Sequence, residues 1–192
     1  MTPTDWTALI RPLRHRNFRL FASGQLISLI GTWVQNVSEA WLVYRLTGSS
    51  AALGLVRFAG LAPVFVLALI GGDFADRANR RHILLGTQTV SMILAFILAA
   101  LTFLHLVLPW HILAIALLLG VANAFEAPAR QAFVLEMVEL HDMTNAIALN
   151  GAMFNAATAV GPAVAGLIYA FLGPAWCFTI NGISFIAVIV AL

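Results

Sequence analysis

Six apolar runs, each about 20 residues long, constrain the fold of this chain more than any other feature. Runs of this length cross the hydrocarbon core of a bilayer, about 30 Å thick, as α-helices, whereas the strands of a membrane barrel alternate over about 10 residues. Charged residues make up only 9% of the chain, against roughly 25% in a soluble domain. The sequence therefore predicts an all-α membrane protein with transmembrane helices at residues 20–44, 51–71, 83–104, 110–127, 144–170 and 174–192.

A polar stretch at residues 72–81, GDFADRANRR, separates the second predicted span from the third. We interpret it as a tight loop between two transmembrane helices. Basic residues are retained on the cytoplasmic side of a membrane, and the chain has no lysine, so its arginines indicate the orientation. With the N-terminus in the cytoplasm, eight of the ten arginines lie on that side: Arg11, Arg14, Arg16, Arg19, Arg77, Arg80, Arg81 and Arg130.

Two further segments are expected at the cytoplasmic surface. Residues 1–19 combine Trp6 and Leu13 at helical spacing with four arginines, which predicts a short interfacial helix followed by a basic anchor. A signal peptide is the competing interpretation, but the apolar run after it is too long and lacks a convincing cleavage site. Residues 126–142 mix acids with apolar residues, which predicts a helix lying partly along the inner surface. The last span reaches Leu192 without a polar flank, so we expect the natural protein to continue.

The composition argues against several other classes of function. Arginines clustered in loops fit orientation in a bilayer better than a nucleic-acid surface. The single cysteine, Cys177, has no partner in the chain for a disulfide, and the five histidines are too scattered to suggest a metal site. We find no nucleotide-binding motif, no cofactor signature and no constellation of nucleophile and base, so an enzyme is not predicted.

Ionisable residues inside the spans are the main candidates for function. Gly24, Ser28, Gly31, Gln35 and Glu39 share one face of the first span. A charged group within a span costs a few kcal/mol to insert, so it usually faces protein or a watery cavity. Glu39 and Arg57 lie at similar depths from the external ends of their helices. We therefore predict that Glu39 and Arg57 face each other or share a cavity.

Two interpretations of this pair remain open. In the first, Glu39 gains and loses a proton as the protein works or meets a cationic substrate, while Arg57 tunes the pKa of Glu39 or binds an anion. In the second, the pair only docks two helices. Four asparagines are further candidates for the cavity or for hydrogen bonds between helices: Asn36, Asn123, Asn150 and Asn155.

The polar stretch also resembles a known motif. Gly72, Asp76, Arg77, Arg80 and Arg81 follow the spacing of the loop signature of the major facilitator superfamily, with Asn79 where that family usually has glycine. Both flanks are transmembrane spans, as the motif requires. The resemblance implies that Asp76 pairs with Arg130 and contacts the opposite half of the transporter, latching one conformation. The alternative is that the arginines only set the topology.

Two other regions support the same resemblance. In the fifth span, Gly161, Pro162 and Gly166 resemble the signature of the antiporters of the superfamily, with Ala165 in place of a glycine. Close packing of small residues is the alternative explanation for them. Residues 17–28, 41–49 and 120–132 are similar to a bacterial exporter branch of the superfamily that includes the enterobactin exporter.

The resemblance implies a fold and a function. The chain would be the N-terminal six-helix half of a twelve-helix transporter in the bacterial inner membrane, with two halves rocking around a central cavity. It would export a small organic molecule, drug-like or siderophore-like, in exchange for protons. The cavity would require a C-terminal half or a second half-size chain. A membrane scaffold, accessory subunit or remnant that retains the fold without transporting solute is the alternative.

Overall fold

Six long α-helices account for most of residues 10–192, the part of the chain that the computed structural model describes. They are α1 (Arg16–Thr47), α2 (Ser50–Arg77), α3 (Arg80–Phe103), α4 (Pro109–Glu136), α5 (Met143–Leu172) and α6 (Pro174–Ala191). Within this range there is no strand. Two short 3-10 helices, Arg11–Arg14 and Leu140–Asp142, precede α1 and α5. The predicted interfacial helix falls largely on residues 1–9, including Trp6, which lie outside the described residues. Its placement at a membrane surface stays a prediction.

Glycines terminate two of the helices where the backbone turns sharply. Gly48 has a φ of 63° after α1, and Gly173 has a φ of 82° after α5. A residue with a Cβ atom rarely adopts such left-handed values, so glycine suits both positions. Ser49 then caps α2, because its hydroxyl accepts a hydrogen bond from the backbone N–H of Ala52 at 3.3 Å. The connections at this end of the bundle are therefore short.

Five helices, α2 to α6, are long and apolar enough to cross a membrane. In this respect α1 differs, although it is the longest helix at 32 residues. It begins with Arg16 and Arg19 and carries Gln25, Gln35 and Glu39 along its length, which lowers its hydropathy. These three internal polar residues are buried in the bundle, so their polarity reflects contacts with protein. The predicted boundaries of the spans lie within a few residues of the helices, except at the ends of α2 and α4.

The helices form an open arc. Extensive packing occurs between α2 and α4, α4 and α3, α3 and α6, α6 and α1, and α1 and α5, while α2 and α5 have no substantial contact. Consequently α2 and α5 are the two edges of the arc. Their outer faces carry highly exposed apolar side chains, including Leu69 on α2 at 89% exposure and Phe171 on α5 at 82%. A central cavity lies between the helices of this arc.

The predicted loop at residues 72–81 is much shorter in the structure. Helix α2 continues through Arg77, and only Ala78 and Asn79 separate it from α3. An ion pair between Arg77 and Asp73, at 2.8 Å, spans one turn of the extended helix. Asn79 has a φ of −68° and caps α3, its side chain accepting a hydrogen bond from the N–H of His82 at 3.3 Å. The family's usual glycine is therefore not needed here for a left-handed turn.

The helix predicted at residues 126–142 is present as far as Glu136, but it is the continuation of the fourth span and is interrupted before Asp142. Helix α4 passes through Pro128 and ends at Glu136, followed by a short turn and the 3-10 helix. The continuation is stabilised by burial, since Ala129 and Val134 belong to a core cluster with Phe18 of α1. Burial of these side chains stabilises the part of α4 that follows Pro128. It offsets the loss of one backbone hydrogen bond at the proline.

Candidate functional site

All six helices contribute residues to one cavity of about 600 Å³ at the centre of the arc. Its charged lining residues are Glu39 on α1, Arg57 on α2, and Glu126 and Arg130 on α4. Neutral polar residues complete much of the wall: Gln25, Ser28, Thr32, Gln35, Asn36, Gln88, Ser91, Asn123 and Asn181. The volume falls within the range of about 300–1,000 Å³ that is typical of small-molecule sites.

Glu39 is buried, at 7% exposure, and belongs to a network of hydrogen bonds between α1 and α6. The side-chain Nε2 of Gln35 donates to Oε1 of Glu39 at 2.7 Å. In turn, Nδ2 of Asn181 donates to Oε1 of Gln35, also at 2.7 Å. This network holds the Glu39 side chain at the cavity wall, with Gln35 as its hydrogen-bond partner. It lies nearer the end of the bundle where α1 ends at Thr47.

Arg57 lines the same cavity but does not form an ion pair with Glu39. Its side chain is exposed, and no hydrogen bond or ion pair involves it among residues 10–192. The interpretation that the two residues dock their helices through a direct ion pair is therefore not supported by the contacts in the structure. Both side chains instead line the same cavity.

A second pair of charged residues lies toward the opposite end of the bundle. We call it the arginine-rich end, because Arg16 and Arg19 at the start of α1 and Arg77, Arg80 and Arg81 at the turn between α2 and α3 lie there. Nη1 of Arg130 donates to Oε1 of Glu126 at 3.1 Å, one helical turn away on α4. Gln25 and Gln88 line the cavity at about the same distance from the arginine-rich ends of α1 and α3. At about 1.5 Å of rise per residue, Gln25, Gln88 and Glu126 lie roughly 12–15 Å from the arginine-rich ends of their helices. The cavity is thus polar at two depths.

The predicted pairing of Asp76 with Arg130 does not occur. Asp76 is exposed and has no ion-pair partner among residues 10–192, while Arg130 pairs with Glu126. The reason is positional, because Glu126 lies one turn from Arg130 on the same helix. Other residues of the loop motif contact their surroundings differently. Arg80 forms an ion pair with Glu136 at the end of α4, and Arg81 is exposed.

Two of the four asparagine candidates lie outside the cavity. Asn36 and Asn123 line it, whereas Asn150 and Asn155 are not among its lining residues. Asn155 is exposed and Asn150 is half-buried, both on α5. Because α5 forms an edge of the arc, its polar residues need not face the centre.

The three residues of the α5 motif occupy different environments. Gly161 is buried, and a Cβ atom there would collide with the side chain of Trp33 on α1. Pro162 and Gly166 are exposed, and Gly166 has open space around it. The contact at Gly161 supports the packing explanation for that residue. Gly72 of the loop motif likewise has open space around it.

Several polar residues of the cavity wall escaped the sequence analysis. Gln88 and Ser91 are three residues apart in α3, so they share a face. Asn181, which also lines the cavity, and its neighbour Ser184, which does not, repeat this spacing in α6. Polar residues three apart within otherwise apolar runs were the signal in the sequence that could have indicated these positions. Which helices they would meet depends on the packing of the bundle.

Comparisons with known proteins agree with this architecture. The chain matches the transmembrane secretion effector family over residues 7–192. It is 29% identical over 182 residues to the staphyloferrin A transporter of Staphylococcus aureus, covering 91% of this chain and 44% of that protein.

Two other relatives are efflux proteins. The chain is 25% identical over 148 residues to macrolide efflux protein A of Streptococcus pyogenes, covering 77% of this chain and 36% of the relative. It is 28% identical over 159 residues to the multidrug efflux pump Tap of Mycolicibacterium fortuitum, covering 80% and 38% respectively. The chain therefore spans less than half the length of these curated relatives. The family model covers nearly the whole chain, and the structure has several helices that are long and apolar enough to cross a membrane. This chain therefore belongs to the transmembrane secretion effector family of the major facilitator superfamily.

Proposed function

We propose that this chain forms the N-terminal half of an exporter that moves a small organic molecule by alternating access and exchanges it for protons. The observation that carries the proposal is the central cavity of about 600 Å³, lined by all six helices and containing the buried carboxylate of Glu39. A buried ionisable group at the wall of a membrane cavity is suited to bind a proton or a cationic group. The staphyloferrin and efflux functions of the relatives support a substrate of siderophore-like or drug-like size.

The proposed orientation places the arginine-rich end of the bundle in the cytoplasm of a bacterial cell, with α1 crossing the inner membrane as a sixth span. The start of α1, the turn between α2 and α3, and the connection between α4 and α5 all lie at this end. Their arginines would be retained inside. The length of α1, 32 residues, exceeds the roughly 20 needed to cross. Its polar face is buried against other helices, so it need not contact lipid.

Cysteine labelling tests this orientation. We expect Asn79→Cys, in the turn between α2 and α3, to resist a membrane-impermeant maleimide in intact cells and to react after the cells are opened. Ser49→Cys, in the turn between α1 and α2, is the matched control and should react in intact cells. The only native cysteine, Cys177, is buried, so background labelling of this residue by the maleimide should be low. Labelling of Asn79→Cys from outside would contradict the topology.

A second half is required to enclose the cavity. The edges α2 and α5 carry exposed apolar side chains and have no substantial contact with each other. Packing of small and apolar residues against a second six-helix half would cover both edges. We propose that this half is either a C-terminal part of the same protein or a second copy of the chain. A non-transporting scaffold would not need its cavity enclosed.

Transport in cells tests the proposed function. The chain is expressed in a bacterial strain without its own efflux pumps, either alone or with a second half, supplied as a downstream segment of the gene or as a tandem copy. We expect ethidium, an organic cation, to be cleared only when the second half is present, and a protonophore to abolish the clearance. Robust uphill transport by the isolated monomer would contradict the requirement for two halves. Failure of every paired form, in folded protein, would favour the scaffold.

A further inference from the structure

We propose that Asn181 on α6 is a positioning residue for Glu39, because it orients the Gln35 amide that donates a hydrogen bond to the carboxylate. The consequence for transport rests on the proposed function, in which Glu39 exchanges protons or meets a cationic group. The positioning itself is a property of the folded chain. Asn181 is on a different helix from Glu39 and makes no hydrogen bond to it, so Asn181 would act through Gln35.

The hydrogen bonds of the network all run in one direction, from Asn181 through Gln35 to Glu39. Asn181 Nδ2 donates to Gln35 Oε1 at 2.7 Å, and Gln35 Nε2 donates to Glu39 Oε1 at 2.7 Å. If the Gln35 amide were rotated by half a turn, its carbonyl oxygen would face the carboxylate and its NH₂ group would face the NH₂ group of Asn181. Both contacts would be unfavourable, since each would bring like partial charges together. Asn181 therefore selects the amide orientation that suits an ionised Glu39.

Burial makes this selection effective. Gln35 is 3% exposed and Asn181 is 2% exposed, so bulk water does not readily replace either partner. A buried polar group that loses its partner is costly, and hydrogen bonds are stronger in a low-dielectric interior. Without the donor on Asn181, the carbonyl oxygen of Gln35 would lack its partner in the network. The amide would then be free to adopt other orientations beside Glu39.

Close packing of α1 against α6 holds the network in register. A Cβ atom at Gly31 would lie 2.5 Å from Oγ of Ser184 and 2.7 Å from Oδ1 of Asn181, so only glycine leaves room for these side chains. Ser184 Oγ donates to the backbone carbonyl of Asn181 at 2.7 Å and lies 3.1 Å from Oδ1. The Asn181 side chain is consequently fixed by its own helix and by the absence of a side chain at position 31.

The remaining charged groups of the cavity are on other helices. Arg57 on α2 and the pair of Glu126 and Arg130 on α4 line it, while the lining residues from α3, α5 and α6 are uncharged. Because Glu126 and Arg130 form an ion pair, their charges largely offset each other at a distance. Substituting Asn181 by another neutral residue changes none of these charges. Its effect on Glu39 should therefore pass through Gln35.

Infrared titration of the purified chain in lipid nanodiscs tests the proposal without requiring transport. The carboxyl stretch of protonated Glu39 is identified as the titrating band that Glu39→Gln removes. We expect Asn181→Leu to move the midpoint of this band to higher pH by roughly half to one unit, because losing a hydrogen bond to the ionised form favours the protonated form. Asn181→Ser, whose side chain is too short to reach Gln35, should shift the midpoint in the same direction and serves if the leucine variant does not fold.

The matched control is Thr179→Val on the same helix. Thr179 donates its hydroxyl hydrogen to the carbonyl of Ala175 within α6 and is not a lining residue of the cavity, so the midpoint should stay unchanged. Midpoints for both Asn181 variants that match this control would overturn the positioning role, as would a titration that Glu39→Gln leaves unaltered. The outcome is separable from the proposed function. A shifted midpoint together with full ethidium efflux by Glu39→Gln would support positioning and refute the role of Glu39 in transport.

Discussion

Replacing Glu39 by glutamine is expected to reduce proton-driven efflux of ethidium, by the chain paired with its second half, to the level of protonophore-treated cells. Glutamine preserves the shape of the side chain and its hydrogen-bonding capacity, but it cannot exchange a proton or carry a negative charge. Because the variant still accepts the hydrogen bond from Gln35, the expected loss of efflux reflects only the missing proton and charge. Initial rates of efflux at several external pH values are the measurement.

Glu139→Gln is the matched control for this substitution. Glu139 lies in the exposed connection between α4 and α5 and is not a lining residue of the cavity, so its neutralisation should leave efflux intact. Retention of proton-coupled efflux by a well-folded Glu39→Gln variant would contradict the role of Glu39. The buried carboxylate would then serve the structure through its hydrogen bond to Gln35.

Substituting Gly120 by alanine is expected to destabilise the bundle by about 1–3 kcal/mol, the usual cost of overpacking a filled interior. A Cβ atom at this position on α4 would collide with the backbone carbonyl of Gly60 on α2 and would lie 3.1 Å from Cγ of Pro63. Backbone atoms cannot rotate away as a side chain can, so the two helices would have to separate. A lower apparent unfolding temperature in detergent and a lower yield of folded protein are the expected observations.

Gly86→Ala on α3 is the control for the effect of a methyl group on a helix. Apart from the neighbouring backbone of α3 itself, no atom of residues 10–192 lies within 4 Å of the Cβ position there, so the added methyl group meets open space. Alanine also favours helix by roughly 0.5–1 kcal/mol over glycine, so the unfolding temperature should stay the same or rise. Equal effects of the two substitutions would show that the close approach of α2 and α4 is not what makes Gly120 necessary. Gly71, which faces the backbone carbonyl of Ala124, offers a second test of the same contact.

Some features of this protein follow from the local sequence, whereas others depend on contacts between helices. The apolar runs predicted the number and approximate position of the long helices, because hydrophobic length is a local property. The polar face of α1 was also visible, since residues three and four apart share a face. Glu39 and Arg57 could be placed at similar depths by counting residues, and both line the central cavity. Helix ends were less predictable, because α2 and α4 extend into polar sequence where tertiary contacts and ion pairs stabilise them.

What the sequence by itself determined is the class of protein: helices that lipid favours, a basic end, and a charge within a span that must face protein or a cavity. What only the tertiary structure decided is which side chains share that cavity and which partners they have. Arg130 pairs with Glu126 instead of Asp76, and the amide of Asn181 reaches Gln35 across 146 positions of sequence. The physical reason is that the hydrophobicity of a span is a property of one segment. A hydrogen bond between helices requires the donor and acceptor atoms of two segments to lie about 3 Å apart. That separation is set by how the six helices pack.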